Sequence, residues 1–418
     1  MRPINKRHKG TAMIRLPANL DTNPSSSRRN RVSAGGYESW RRPDEVKEAA
    51  VPNYPDRWKR ASALMSERGI DALFVMKPAN LAYLTGDGRP CALGLLTSSE
   101  RFVVAVPECD VPSVRALSAA SEVRSFRSED EMFHGFRDVL RDLGLAEATI
   151  GLEKNFFDAA LHEVFTSHIL SGNEVVSAAP VLSRLRMIKD DEEIALLREA
   201  GRVADAGMAA AIAAVQVGVL ERIVAGEAEL AMRRAGAEGW SAPTYVASGW
   251  RSAMAHGPAS SKAIEAGDVV QIHVAPIVAG YTVDLCRTTF VGDVGEDAHG
   301  ALGAYLAAQE AGILAAAPGR PLLGIDDAMT RSLRNAGFGD AFLRPTFHGV
   351  GIEHEEAPIP GGHAVVHGEQ QIDEVEAGMV LAVGNCGIYR EQFGVRAEDT
   401  IWVSESGPVA LTSAPKRI

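Results

Sequence analysis

The chain has 418 residues, 46% of them hydrophobic and 23% charged, with a formal net charge of -11. That balance belongs to a soluble globular protein and excludes wholesale disorder, a collagen-like repeat and a bundle of membrane helices. The acidic surplus argues against a nucleic-acid binder, which needs a basic face, and roughly 100–200 residues per domain implies two or three domains.

Four cysteines, Cys91, Cys109, Cys286 and Cys386, are too few and too scattered for a disulfide framework, and no CxxC pair points to a zinc ribbon. The expectation is a reducing cytoplasm. No run of about 18 uncharged apolar residues occurs, so no membrane span is expected.

In chain order, residues 1–45 carry Lys6, Arg7, Lys9, Arg15, Arg28, Arg29, Arg31, Arg41 and Arg42 around a Ser25-Ser26-Ser27 run. With little apolar periodicity, this reads as a basic disordered tail. From Tyr54 the pattern becomes regular. An amphipathic helix over Trp58–Arg68 is ended by Gly69. Apolar runs predict strands at Asp71–Met76, Arg101–Val106 and Ile150–Glu153, with helices at Val111–Ala120, Glu129–Leu143 and Ala159–Leu170 between and after them. Such alternation predicts an α/β layer structure.

A charged helix over Asp190–Val203 opens a second domain, and the Ala-rich stretch Ala206–Leu220 reads as a buried helix. Asp268–Ala275 is apolar at alternate positions and leads through the turn Ala279-Gly280-Tyr281 into a strand over Thr282–Val291. That hairpin puts His273 and Asp284 on facing strands, where two side chains can meet. A Gly-rich segment, Phe347–Glu356, follows. A closing hairpin runs from the strand Met379–Val383 through Gly384–Gly387 towards Val395–Asp399.

His273, Asp284, His348 and Glu398 each fall in or beside a strand next to small residues, which lets a ligand approach. Imidazole combined with carboxylate suits Mn, Fe(II) or Zn. A histidine on a strand is as readily a satisfied core residue, so spacing alone leaves both readings open.

Five ordered segments go further: Pro78-Ala79-Asn80-Leu81-Ala82-Tyr83-Leu84-Thr85-Gly86, Leu185-Arg186-Met187-Ile188-Lys189-Asp190, Gly280–Thr288, His348-Gly349-Val350-Gly351 and Val395-Arg396-Ala397-Glu398-Asp399. On these the chain resembles the pita-bread hydrolases (peptidase M24): methionine aminopeptidase, aminopeptidase P, prolidase, creatinase and relatives. The resemblance implies an α/β (α+β) fold in which residues 46–183 form a creatinase-like N-terminal domain and residues 184–418 a pita-bread catalytic domain. It further implies a homodimer whose partner N-domain lies near the active site. A small-molecule substrate is expected, with no nucleic-acid or membrane partner.

The family pattern of metal ligands is Asp, Asp, His, Glu, Glu. Asp284, His348 and Glu398 match the second, third and last. His273 stands at the first position, and the penultimate one falls on Asn385 when anchored on Gly387-Ile388-Tyr389 or on Gly384 when anchored on Gly378-Met379-Val380. Two divalent ions need about four carboxylates to offset their repulsion, so a two-metal centre is not expected. One ion held by Asp284, His348 and Glu398, with His273 as a fourth ligand, remains, as does a metal-free site of the creatinase kind.

The resemblance also implies catalytic roles. His256, in Ser248–Gly257, matches the proton shuttle of creatinase-like members. His354 and Glu355-Glu356 resemble a His-Glu-Glu-Pro segment with one residue fewer before the histidine. His354 is then an oxyanion donor, or Glu355 takes that place and binds a cationic group. Arg396 either clamps a substrate carboxylate or pairs with Asp399, Asn385 and Tyr281 are substrate-binding positions, and Arg287 is structural. His363 and His367 read as solvated loop residues.

The expected function is hydrolysis of a C–N bond in a small polar substrate: an amide, an Xaa-Pro-type dipeptide or an amidino group. The alternatives are elimination from a small zwitterion, a metal-free amidinohydrolase and a non-catalytic binding module.

Overall fold

The computed structural model describes residues 52–360 and 372–416. The basic tail, His363 and His367 lie outside the described residues. Among the described residues, no helix is long and apolar enough to cross a membrane.

The first helix, Tyr54–Ser66, begins earlier than its apolar pattern. Asn53 Oδ1 accepts from the Asp56 amide at 3.2 Å, and a proline sits in the first turn, where no N–H partner is required. A six-stranded mixed sheet follows, in the order Glu122–Phe126, Phe102–Pro107, Leu93–Thr97, Ala72–Val75, Thr149–Leu152, Glu174–Ser177. Ala72–Val75 is buried at every position because helices cover both sheet faces. Leu73 and Val75 pack with Trp58, Met65 and Leu81, whereas Ala72 and Phe74 pack with Phe136 and Phe165. Three of these strands were not anticipated. Glu122–Phe126 and Glu174–Ser177 are edge strands with half-exposed polar residues, and Leu93–Thr97 is interrupted by Gly94.

Asp190 starts the long helix Asp191–Ala214 through a capping box with Glu193. The helix ends at Ala214, so the apolar stretch expected to continue to Leu220 is only partly helical. This helix and Glu221–Ala235 form one core with the sheet Leu285–Phe290, Val269–Val274, Tyr245–Ser248. Helices Glu296–Ala315 and Gly324–Asn335 form a second core with the sheet Phe347–Gly349, Val380–Val383, Asp399–Ser404, Gly407–Ala410. Val380 and Ala382 belong to the first core, Leu381 and Val383 to the second, so this strand is sandwiched between them. The two sheets meet where Cys286 and Glu398 exchange backbone hydrogen bonds, each amide donating to the other's carbonyl, at 3.2 and 3.0 Å.

The expected hairpin forms, with one difference. Its second strand is broken into Tyr281–Thr282 and Leu285–Phe290. The first piece pairs with Pro276–Val278, which also pairs with Gly239–Trp240, and the second pairs with Val269–Val274. Val283 and Asp284 are the corner at which the chain changes sheets.

Candidate active site

That corner places Asp284 on the seam between the two halves. Its amide donates to Thr400 Oγ1 at 2.9 Å, and the Thr400 hydroxyl donates to the Asp284 carbonyl at 2.9 Å, so the backbone is fixed and the carboxylate left free. His273 lies opposite Cys286 on one side, and Glu398 is bridged to Cys286 on the other. His348 comes from the strand Phe347–Gly349, opposite Ala382.

All four side chains are buried, and they converge. His273 Nε2 is 2.6 Å from Asp284 Oδ1, His348 Nε2 is 3.5 Å from Asp284 Oδ2 and 3.8 Å from Glu398 Oε1. None of these approaches has hydrogen-bond directionality. Both Asp284 oxygens, both His273 nitrogens, His348 Nε2 and Glu398 Oε1 are buried without a hydrogen-bond partner. Buried polar atoms are rarely left so. His348 Nδ1 meets the Gly349 carbonyl at 3.0 Å, which directs the Nε2 lone pair inwards.

His354 stands at the edge of this cluster, with 23% of its side chain exposed. Nε2 is 3.3 Å from Asp284 Oδ2, and Nδ1 is 3.3 Å from Ser241 Oγ. Two donor groups therefore share Asp284: His273–Asp284–His354 and Asp284–His348–Glu398, each with ligand atoms within 4.8 Å of one another.

The electrostatics follow from burial and neighbours. Burial pushes His354 down to about 4, so it is a neutral imidazole. Burial would do the same to His348, but the neighbouring Asp284 and Glu398 carboxylates raise it to about 9. Asp284 is opposed by burial, yet His273 and His354 hold it well below the ordinary carboxylate range. Burial takes Glu398 up to about 7 despite Arg396.

His256 and Glu355 are exposed at the mouth. His256 packs edge-on to Tyr245 with ring centroids 5.9 Å apart, and neither residue has a hydrogen-bond partner among the described residues. Burial, followed by the Arg396 charge, lowers the His256 pKa, which keeps the imidazole ready to accept a proton.

The structure bears on three of the positions that the motifs single out. Arg396 does not pair with Asp399. Its guanidinium contacts Glu398 Oε2 and donates to the Gly384 carbonyl at 3.2 Å and Asn385 Oδ1 at 3.3 Å, whereas Asp399 is taken by Arg287 at 2.6 Å. Those bonds use Nε and Nη2, and Asn385 is one of the groups that hold the guanidinium in place. Tyr281 does not face the cluster, because its hydroxyl donates to Glu193 Oε1 at 3.0 Å and accepts from Arg57 at 3.3 Å. The one-residue offset in the His-Glu-Glu segment brings His354, rather than Glu355, to Asp284.

Sequence reasoning missed Ser241, which orients His354, and Glu221. The Glu221 carboxylate is fully buried and accepts from Ser248, Arg251 and Ser260, holding both ends of the loop that carries His256. An acid opening a helix was the only local signal.

Residues 195–405 match metallopeptidase family M24, and residues 57–188 match the creatinase/prolidase N-terminal domain. The chain is 31% identical to an Xaa-Pro dipeptidase from Pyrococcus furiosus over 87% of its own length and 99% of that protein's. The chain belongs to metallopeptidase family M24, a family of hydrolases. The fold agrees. The prolidase structure from Pyrococcus horikoshii has a TM-score of 0.77 at 28% identity, covering 86% of this chain and 99% of that one. An Xaa-Pro dipeptidase structure from Bacillus anthracis has a TM-score of 0.79 at 27% identity, covering 88% and 100%.

Strand register bears on the penultimate position that the motifs left open between Gly384 and Asn385. Val383 pairs with Asp399, so the next residue, Gly384, faces Glu398. The amides of Gly384 and Asn385 both donate to the Thr346 carbonyl, at 2.8 and 3.1 Å, so two residues oppose one in a local bulge. A Cβ at Gly384 would lie 2.0 Å from the Ala397 carbonyl oxygen, on a backbone with φ of +116°. No side chain fits. Gly384→Ala is expected to cost about 2 kcal/mol or more through strain and backbone displacement, measured by urea unfolding; an unchanged midpoint would remove this account of the bulge.

Proposed function

We propose that this M24 member hydrolyses a C–N bond in a small polar substrate, an amide, Xaa-Pro-type dipeptide or amidino compound, at a site built for one divalent ion. The observation that carries this reading is the convergence of unpaired, buried donor atoms from His273, Asp284, His348 and Glu398. Their chemistry fits Mn, Fe(II) or Zn held by two imidazoles and two carboxylates. It does not fit a pair of ions, because only two carboxylates are present among the described residues and Gly384 leaves no room for a third. A single ion bound there supplies an activated water and an electrophile for the substrate oxygen.

The chain's own residues divide the remaining work. His256, exposed and without a fixed partner, takes a proton and returns it to the leaving nitrogen. His354, neutral and placed between the buried cluster and solvent, turns a nitrogen towards the substrate oxygen. Glu355, exposed and unpaired among the described residues, faces a cationic or amine group. We place the domain boundary at 183/184, after a tail of residues 1–45. The working form is a cytoplasmic homodimer whose partner N-domain covers the cleft.

Elemental analysis after loading with Mn, Fe(II) or Zn, coupled to a screen for ammonia, amine or urea release, tests the proposal. One ion per chain with hydrolysis is expected; two ions per chain, or turnover by ion-free protein, would overturn the one-ion site. His256→Ala is expected to lower turnover about 10³-fold while leaving the bound ion in place. A fully active variant removes His256 from the mechanism.

A further inference from the structure

Two motifs, Pro78–Gly86 and Leu185–Asp190, contribute no side chain to the cluster around Asp284. In the structure both lead to one buried residue of the loop that carries His354. Glu356 Oε1 accepts from Lys189 Nζ at 2.9 Å, and Oε2 accepts from Arg186 Nη2 and from the Glu353 amide, the latter at 3.3 Å. Arg186 Nη1 donates to Asn80 Oδ1 at 2.7 Å, and Asn80 Nδ2 donates to Glu153 Oε1 at 2.6 Å. Glu153 Oε2 in turn receives the amides of Met76 and Lys77, at 2.5 and 2.8 Å. A continuous hydrogen-bonded chain thus runs from the end of the strand Ala72–Val75 to the loop at Glu356.

The loop is built around that carboxylate. The Glu356 amide donates to the Gly349 carbonyl at 2.9 Å, and the Gly351 carbonyl accepts from Thr282 at 2.8 Å. A Cβ on Gly351 would lie 2.3 Å from Glu356 Oε1, so only glycine lets the carboxylate pass beneath the turn. His354 lies between these fixed points. Burial opposes the Glu356 charge, but Arg186 and Lys189 hold its pKa at about 2. A buried ion cluster of this kind adds little stability over apolar packing. What it supplies is direction, because the guanidinium fork and the ammonium fix both oxygens of one carboxylate.

We infer that Glu356, gripped by Arg186 and Lys189, is the positioning residue of His354 and ties the aim of that imidazole to the seating of the N-terminal domain. The inference rests on the reading of His354 as the substrate-facing group. A double-mutant cycle separates positioning from simple bracing. Glu356→Gln is expected to lower kcat about 100-fold, the usual result of a 1 Å misplacement, with KM little changed. In a His354→Ala background the same change is expected to have no further effect. Equal losses in both backgrounds would overturn the inference. A crystal structure of Glu356→Gln decides it without any turnover: the His354 ring is expected to leave Asp284, and an unmoved ring would overturn the proposal. Wild-type protein inactive on every substrate would therefore sink the hydrolytic reading while leaving this test intact. If Glu356→Gln does not fold, Asn80→Ala breaks the same chain two links earlier and is read in the same way.

Discussion

Replacing Asp284 with asparagine is expected to abolish ion uptake and turnover together while the protein remains folded. Asp284 belongs to both donor groups, and both of its oxygens are buried without a partner. Among the described residues only one other carboxylate, Glu398, lies in the cluster, and it is already shared with Arg396. An asparagine therefore removes about half of the negative charge available to a divalent ion. It also turns N–H groups, or a weaker oxygen, towards His273 and His348. The loss in affinity should exceed the roughly 10–100-fold seen for outer-sphere partners of metal ligands, and turnover should fall by about 10³-fold or more. The fold has no such dependence, because the backbone at Asp284 is held by Thr400 through two hydrogen bonds that asparagine keeps. Three measurements on one sample check this: ion content after dialysis, turnover, and the thermal midpoint with and without added ion. Wild type should gain about 2.7 kcal/mol at an ion concentration 100 times Kd, and the variant should gain nothing. A variant that still loads and turns over would remove Asp284 from the site.

The hairpin carrying His273 and Asp284 was legible because alternation of apolar residues over Asp268–Ala275 is a local signal. Its break at Val283-Asp284 was not, because it depends on where Gly239–Trp240, forty residues earlier in the chain, lies in space. That break also keeps the Tyr281 hydroxyl away from the cluster. Three residues from Asp284, it sits before the corner and meets Glu193 at the start of the long helix instead of the cluster. The missing penultimate carboxylate was visible in the sequence, but its place was not. The two motif anchors differ by one residue, and the pairing of Val383 with Asp399 sets Gly384 opposite Glu398. The same limit applied to the choice between His354 and Glu355. Ser241, more than a hundred residues away, lies 3.3 Å from His354 Nδ1, a contact that no spacing could reveal. Motifs thus singled out the candidate side chains, whereas tertiary register determined which of them meet.

Arg287→Leu is expected to cost about 3–5 kcal/mol, the loss typical of breaking a buried ion pair from one side. The guanidinium is 1% exposed and has five kinds of acceptor: Asp399 at 2.6 Å, and the carbonyls of Cys286, Glu398, Ala414 and Pro415 at 2.6 to 3.0 Å. It thus joins the seam between the two sheets to the C-terminal segment. Leucine fills part of the volume and satisfies none of those oxygens, and Asp399 keeps only Lys416, Gln309 and Thr412. At roughly 2–4 °C per kcal/mol for a domain of this size, the midpoint should fall by about 10 °C. Arg287→Lys should recover less than half of the loss, since an ammonium cannot reach both strands and the C-terminal carbonyls at once. Because the Glu398 carbonyl is one of the acceptors, ion affinity should fall with stability in both variants. Equilibrium unfolding and ion titration check this on the same samples. A leucine variant within 1 kcal/mol of wild type would mean that the seam is held by packing, and the tie between Arg287 and the Glu398 ligand would have to be abandoned.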